Sequence, residues 1–375
     1  MNPIVLTIDE FLNRDLNYIC DNLQEEFTRM AGSSLLITGG AGFLGYYLVL
    51  SALHFNRRNE GRIEPIDVTV WDSFIRGTPK WLTALEGSPH LTIRRYDLID
   101  PLPTDMPDFE WIIHAAGIAS PPYYRKFPLK TIDANINGLR NLLDRCVAQA
   151  ERDKPVKGFL FYSSSEIYGD PSPDAIPTPE YYRGLVSCTG PRACYDESKR
   201  FGETLCVIYA EKYGVPTRQA RPFNNYGPGL KITDKRVIPD FAREIFAGRD
   251  LVMFSDGTPT RTFCYSADSI SGYYKVLVKG GDGEPYNIGT EGPEISMTDL
   301  ANRLIAAGGE LFGYQGSLVH EKAPEAAYLV DNPSRRCPDI RKARSQLGYN
   351  PQISIDEGLK RSLIWYFHNQ EAEEA

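Results

Sequence analysis

The chain has 375 residues, 42% hydrophobic, 11% aromatic and 24% charged, which excludes a largely disordered or fibrous protein. At roughly 150 residues per domain it leaves room for two or three structural units. Forty-one basic residues against 49 acidic ones give a net charge of −8, which argues against a nucleic-acid partner or an anionic membrane surface.

The opening MNPIVLTIDEFLNRD lacks a basic segment followed by an apolar one. The most apolar stretch, Leu35 to Phe55, is interrupted by four glycines and by Thr38 and His54, so neither a signal peptide nor a membrane span is expected. Ile8, Phe11, Leu12, Leu16, Ile19, Leu23, Phe27 and Met30 recur at three- and four-residue steps, the pattern of an amphipathic helix capped by Asp9. Residues 1–32 therefore read as a helical extension docked on the body or on a second subunit. From Ser34 apolar runs alternate with helical stretches: LLIT (35–38), a helix from Gly42, VTVW (68–71), LTIRRYD (91–97), WIIHAAG (111–117), a helix over Asn135 to Ala150, and GFLFYSSS (158–165). Strands apolar throughout and separated by helices imply a parallel sheet covered on both faces, hence a Rossmann-like, doubly wound α/β domain over 33–223. After Asn224 the order loosens, with helices expected near Thr298–Ala307 and Asp356–His368. Residues 224–375 read mainly as a smaller, partly inserted substrate lobe, with some segments returning to the first domain.

The first strand ends in Thr38-Gly39-Gly40-Ala41-Gly42-Phe43-Leu44-Gly45. Gly39 and Gly42 allow a tight turn and close approach to a pyrophosphate, Gly45 allows close helix packing, and Phe43 and Leu44 open a helix whose N-terminus favours an anion. Asp72, ending the second strand, is placed to accept the adenosine ribose hydroxyls and to repel a 2′-phosphate, so NAD is expected over NADP; Arg76 nearby is the residue that would meet such a phosphate. Asp97 and Leu98 after the third strand, and Ala115 and Ala116 after the fourth, complete the expected cofactor surface, with His114 structural or a cofactor neighbour rather than a catalyst. Seven scattered cysteines, never spaced as CxxC, suggest neither disulfides nor a zinc site and fit a reducing cytoplasm.

Tyr195 and Lys199 stand one helical turn apart in YDESK, so both project from one face. The lysine and a positively charged nicotinamide ring would lower the phenol's pKa, letting Tyr195 take a hydroxyl proton while hydride leaves the same carbon. The serines Ser163, Ser164 and Ser165 with Glu166 end a strand within the same expected domain, ahead of Tyr195. From about Ser33 to Phe367 the chain resembles the extended short-chain dehydrogenase/reductase family acting on nucleotide sugars, and within it UDP-glucuronate decarboxylases (UDP-xylose synthases). The likeness is carried by HAAGIASPPYY (114–124), SSSEIYGDP (163–171), GPRACYDESKR (190–200), RPFNNYGPG (221–229), TPTRTFCYSADS (258–269) and NPSRRCPDI (332–340).

That resemblance implies that Ser164 and Tyr195 bind the sugar's C4 hydroxyl and that Glu166 acts near C5. It also implies that Ser165 stands where dTDP-glucose 4,6-dehydratases carry an aspartate; a serine is a poor general acid, which disfavours dehydration, although GDP-mannose dehydratases share Ser-Glu. On the substrate side it implies Ser120, Pro121, Tyr124 and Arg236, Asn224 at the phosphates or uracil, Arg261 and Tyr265 at the diphosphate and ribose, and Arg336 at the glucuronate carboxylate. The chain departs from the family pattern at Cys337, Gly117-Ile118 and Leu185–Thr189. The implied activity is NAD-dependent decarboxylation of UDP-glucuronate through a 4-keto sugar to UDP-xylose or the 4-keto-pentose, without a metal. Alternatives are a 4-epimerase or 4,6-dehydratase on the same scaffold, or a non-catalytic NAD-binding protein. A homodimer is implied through helices Asn135–Ala150 and Tyr195–Tyr213, with apolar faces Leu139/Leu142/Leu143 and Leu205/Ile208.

Overall fold

A computed structural model describes residues 8–322 and 333–370. Six strands, β1 (Ser34–Thr38), β2 (Asp67–Asp72), β3 (Leu91–Arg95), β4 (Trp111–His114), β5 (Gly158–Tyr162) and β6 (Thr217–Pro222), pair with a seventh, Pro285–Ile288, in one sheet. Its order from one edge is Pro285–Ile288, β6, β5, β4, β1, β2, β3, and every pairing is parallel. Leu35–Thr38, Trp111–His114 and Gly158–Tyr162 are buried throughout, because helices cover both faces; this is why these strands read as unbroken apolar runs. The strand order reverses at β1, so a crevice opens at the carboxyl ends of β1 and β4. The edge strand Pro285–Ile288 comes from beyond residue 224 and pairs with β6.

Two helices, α1 (Ile8–Asn22) and α2 (Gln24–Met30), precede the sheet and pack on α3 (Phe43–Arg58) and on the helix Ser266–Lys279. Phe11, Ile19, Leu23, Phe27 and Met30 are fully buried there. Residues 1–7 of the expected extension, and Asn332 of the NPSRRCPDI run, lie outside the described residues. The helix expected from Asn135 starts earlier: Pro121–Lys126 and Pro128–Asp133 lead into a π turn, Ala134–Gly138, which continues as Leu139–Ala150. Leu139, Leu142 and Leu143 do not form an outward apolar face. They are fully buried against Phe159, Phe161 and Cys206, since this side of the helix covers the sheet itself.

The later helices run over Met297–Phe312 and Ile355–Asn369. In the same lobe a three-stranded sheet sets Thr260–Arg261 between Ile295–Ser296 and Arg335–Arg336, which brings two distant arginines side by side. Among the described residues no helix is long and apolar enough to cross a membrane.

Candidate active site

The loops at the carboxyl edge and the facing lobe enclose a cavity of about 1150 Å³. Every residue assigned above to cofactor, substrate or catalysis lines it, with one exception. Tyr265 is fully buried elsewhere and donates its hydroxyl to Asp15 Oδ2 at 2.6 Å, so it lies in the core beneath α1 and is not part of the cavity. Its motif position could not reveal this, because the partner is a carboxylate 250 residues away.

Local geometry explains the glycine spacing. Gly39 has φ +72°, and a Cβ there would sit 2.6 Å from Ala116 Cα; one on Gly45 would sit 2.1 Å from Gly40 O. The turn thus brings α3 hard against β1, with Gly42 as its N-cap. Asp72 Oδ2 accepts the Ala41 N–H at 3.0 Å and Oδ1 that of Phe74 at 2.8 Å, which leaves each oxygen capacity for a further donor. Burial raises its pKa, and those two N–H groups offset part of that rise. Arg76 is committed elsewhere: Nη1 lies 2.7 Å from Asp234 Oδ2 and the guanidinium sits 4.8 Å from the Tyr123 ring centre. Arg236 holds the other oxygen of Asp234 at 2.9 Å, and Ser120 Oγ donates to the Asp234 carbonyl at 3.2 Å. These residues fit NAD, and two buried polar atoms in or beside the cavity, Tyr124 Oη and Asn135 Oδ1, have no hydrogen-bond partner among the described residues.

The chain matches the family described as NAD dependent epimerase/dehydratase over residues 35–289. The chain belongs to this family. It is 37% identical over 326 residues to UDP-glucuronic acid decarboxylase 3 of Arabidopsis thaliana, covering 87% of this chain and 86% of that protein. To UDP-glucuronic acid decarboxylase 1 of Xenopus tropicalis it is 34% identical, covering 88% of this chain and 72% of that protein. Among solved structures, a double mutant of the dTDP-glucose 4,6-dehydratase DesIV of Streptomyces venezuelae, with NAD and DAU bound, superposes with a TM-score of 0.75 at 27% identity, covering 90% of this chain and 98% of that one.

As a member of this NAD-dependent family, the chain places its Ser/Tyr/Lys set in the wall of the cavity. Tyr195 and Lys199 lie in the helix Ala193–Tyr213, and the Lys199 ammonium is 5.7 Å from the Tyr195 ring centre. Lys199 Nζ donates to Tyr162 O at 2.8 Å, and burial lowers its pKa to about 7. The phenol is not lowered in the protein alone. Burial pushes it up to about 12, because desolvation of the phenolate outweighs the hydrogen bond from Ser164 that offsets part of the rise, and the charges of Glu166 and Asp196 add to it. Ser164 caps the short turn Ser165–Tyr168 by accepting the Glu166 N–H at 3.1 Å. Tyr124 stacks on Tyr195, centroids 5.3 Å apart and planes 14° apart. His114, buried beside Thr38 with Nδ1 2.8 Å from its hydroxyl, is held neutral: burial and then Lys199 take its pKa to about 3.

Glu166 is bracketed by two arginines. Arg336 Nη1 and Nη2 reach Oε1 and Oε2 at 2.7 and 2.6 Å, and Arg192 Nη2 reaches Oε2 at 2.5 Å. Burial alone would raise this carboxyl, but Arg336 and then Arg192 hold it at about 2. Arg261 is buried behind them and donates to the carbonyls of Thr260, Ser334 and Pro333; its pKa falls to about 9 through burial and then the like charge of Arg336. Asn224, at φ +41°, spends its amide N–H on Thr262 O at 2.9 Å, leaving its Oδ1 as the side-chain acceptor. Sequence reasoning missed Arg192 and Asn135. The first lies inside GPRACY, so its place three residues before Tyr195 was visible; the second, donating to Ser198 Oγ at 2.9 Å, is set by the π turn and had no local signal.

Proposed function

We propose that the protein decarboxylates UDP-glucuronate at this cavity to yield UDP-xylose. The observation that carries the reading is the Arg336 fork, already bidentate on a carboxylate beside Tyr195 and Ser164; a sugar carboxylate exchanging for Glu166 would be taken by the same fork. The sequence relatives named as UDP-glucuronic acid decarboxylases support it. NAD, when bound by the Gly39–Gly45 turn and Asp72, supplies a hydride acceptor at C4 and later returns that hydride.

Tyr195 takes the C4 hydroxyl proton as the C4–H bond gives up its hydride, which makes the sugar a β-keto acid. The bond from C5 to the carboxylate then breaks, carbon dioxide leaves, and the electron pair passes into an enolate whose oxygen accepts hydrogen bonds from Tyr195 and Ser164. Glu166 orients the proton source for C5. Proton transfer from Tyr195 back to the C4 oxygen accompanies the final reduction. Ser165, with a hydroxyl far too weak an acid to protonate a leaving hydroxyl, supports this reading over a 4,6-dehydratase.

The assignments of Ser120, Pro121, Tyr124, Asn224, Arg236 and Arg261 to the nucleotide sugar are part of this proposal and rest on their place in the cavity wall. A homodimer is part of it as well, with Phe201 and Ile208, 49% and 44% exposed and two helical turns apart, as the apolar face of the helix Ala193–Tyr213. A cytoplasmic setting is supported by seven free thiols. Incubating purified protein with UDP-glucuronate and following carbon dioxide and nucleotide-sugar mass tests the reading. Turnover of UDP-glucose to UDP-galactose, with none of UDP-glucuronate, would replace it with a 4-epimerase.

A further inference from the structure

Arg336 cannot hold Glu166 and a substrate carboxylate with the same two N–H groups. When the fork turns to the substrate, Glu166 loses both hydrogen bonds that Arg336 makes to it. Arg192 is the cation that stays. Its side chain is 13% exposed, it precedes the helix Ala193–Tyr213, and its carbonyl accepts the N–H groups of Tyr195 and Asp196 at 2.9 and 3.1 Å. Its Nε lies 3.7 Å from Asp196 Oδ2, an ion-pair contact behind the guanidinium. Arg192 is therefore tied to the turn that carries Tyr195, whereas Arg336 belongs to the opposing lobe.

We propose that Arg192 is a positioning residue, which holds the Glu166 carboxylate in place and paired, in fixed relation to Tyr195, while Arg336 is engaged by the substrate's carboxylate. The inference rests on the decarboxylase reading and assigns a separate task to each arginine. Two carboxylates then meet two guanidiniums, one each. Without Arg192 both would compete for Arg336, and two like charges at one site cannot both stay ionised cheaply. The charged and titratable groups facing Glu166 are Arg192 and Tyr195 from the helix and its cap, Arg336 and Arg261 from the three-stranded sheet, and Tyr124 from Pro121–Lys126, with Asp196 beyond Arg192 and Asp170 beyond Arg261. Removing one cation from this set favours the protonated carboxyl, so the acid limb attributable to Glu166 moves to higher pH.

The test compares wild type, Arg192→Gln and Arg192→Lys by pH profiles of kcat for carbon dioxide release from UDP-glucuronate. C4 oxidation is followed in parallel by absorbance at the onset of turnover, and NADH binding and thermal melting report folding. We expect the acid limb of Arg192→Gln to rise by about one pH unit or more, a factor of about ten in the ionisation constant. Its neutral-pH kcat should fall at least tenfold, with C4 oxidation at alkaline pH within about threefold of wild type and KM little changed; Arg192→Lys should lie between. An unmoved limb in the lysine variant and any folded glutamine variant overturns the proposal. So does a raised KM with unchanged kcat and profile, which would make Arg192 a direct ligand of substrate. Absence of carbon dioxide from wild type would instead defeat the decarboxylase reading, so the two failures are distinct.

Discussion

Burial moves the Lys199 pKa from 10.5 to about 7 because the ammonium loses water and gains one carbonyl, Tyr162 O, in exchange. The folded pKa lies below the unfolded one, so between about pH 7 and 10.5 the unfolded chain binds the extra proton and stability rises with pH through that window. A pKa difference of this size corresponds to roughly 5 kcal/mol, against about 1 kcal/mol for the hydrogen bond. Lys199→Met should therefore raise the melting temperature at pH 7 and flatten its rise toward pH 10, while turnover is lost. Melting curves across that range decide it, and a less stable variant with an unchanged slope would show that the lost hydration of the ammonium does not outweigh its contacts. Arg336→Ala should lower kcat/KM for UDP-glucuronate by about a hundredfold, the usual cost of leaving a charged partner unpaired. A loss under about threefold would remove the fork from the site. Asp72 and Arg76 bear on the cofactor. With Arg76 turned to Asp234, a 2′-phosphate would meet the Asp72 carboxylate unaided, so the dissociation constant for NADP should exceed that for NAD by about a hundredfold or more. Equal constants measured by fluorescence titration would contradict the assignment.

At the scale of elements, α1 is more than an apolar cover. Its Asp15 has no exposure and accepts hydroxyls from Tyr47 on α3 and Tyr265, each at 2.6 Å, as well as the guanidinium of Arg361 from Ile355–Asn369. Burial raises its pKa, and Arg361 is the largest force holding it down. Three distant parts of the chain thus converge on one carboxylate. Asp15→Ala should cost about 3 kcal/mol, since it removes the buried partner of Arg361, leaving only Glu357 on the guanidinium at 2.8 Å, and takes the acceptor from two buried tyrosine hydroxyls; Asp15→Ala with Arg361→Met should recover part of that loss. Chemical denaturation of the two variants checks it; additive losses would mean the pair is not coupled.

For the whole molecule, loops at the sheet's carboxyl edge and segments from beyond residue 224 line the cavity together, and the faces left outside it are informative. Leu139, Leu142 and Leu143 are spent on the core, whereas Phe201 and Ile208 on the helix Ala193–Tyr213 stand exposed, and the proposed dimer rests on them. Light scattering should find a dimer at micromolar concentration, and Ile208→Glu should shift it toward monomer, because a carboxylate on an apolar interface loses its water. A wild-type monomer would remove the homodimer from the reading.

Much of this protein was legible along the chain because the relevant physics is local. The Gly39–Gly45 turn, the acidic end of β2, the one-turn spacing of Tyr195 and Lys199, and strands apolar on both faces each follow from constraints that act within a few residues. What only the tertiary structure decided are pairings between residues far apart in sequence. Glu166 meets Arg336 across 170 positions and Tyr265 meets Asp15 across 250. An apolar stripe such as Leu139–Leu143 reads the same whether sheet or second subunit covers it. Likewise a tyrosine or arginine in a motif reads the same whether its polar end faces a ligand or a buried partner, since charge and hydrogen bonding are settled by what folding brings within about 3 Å.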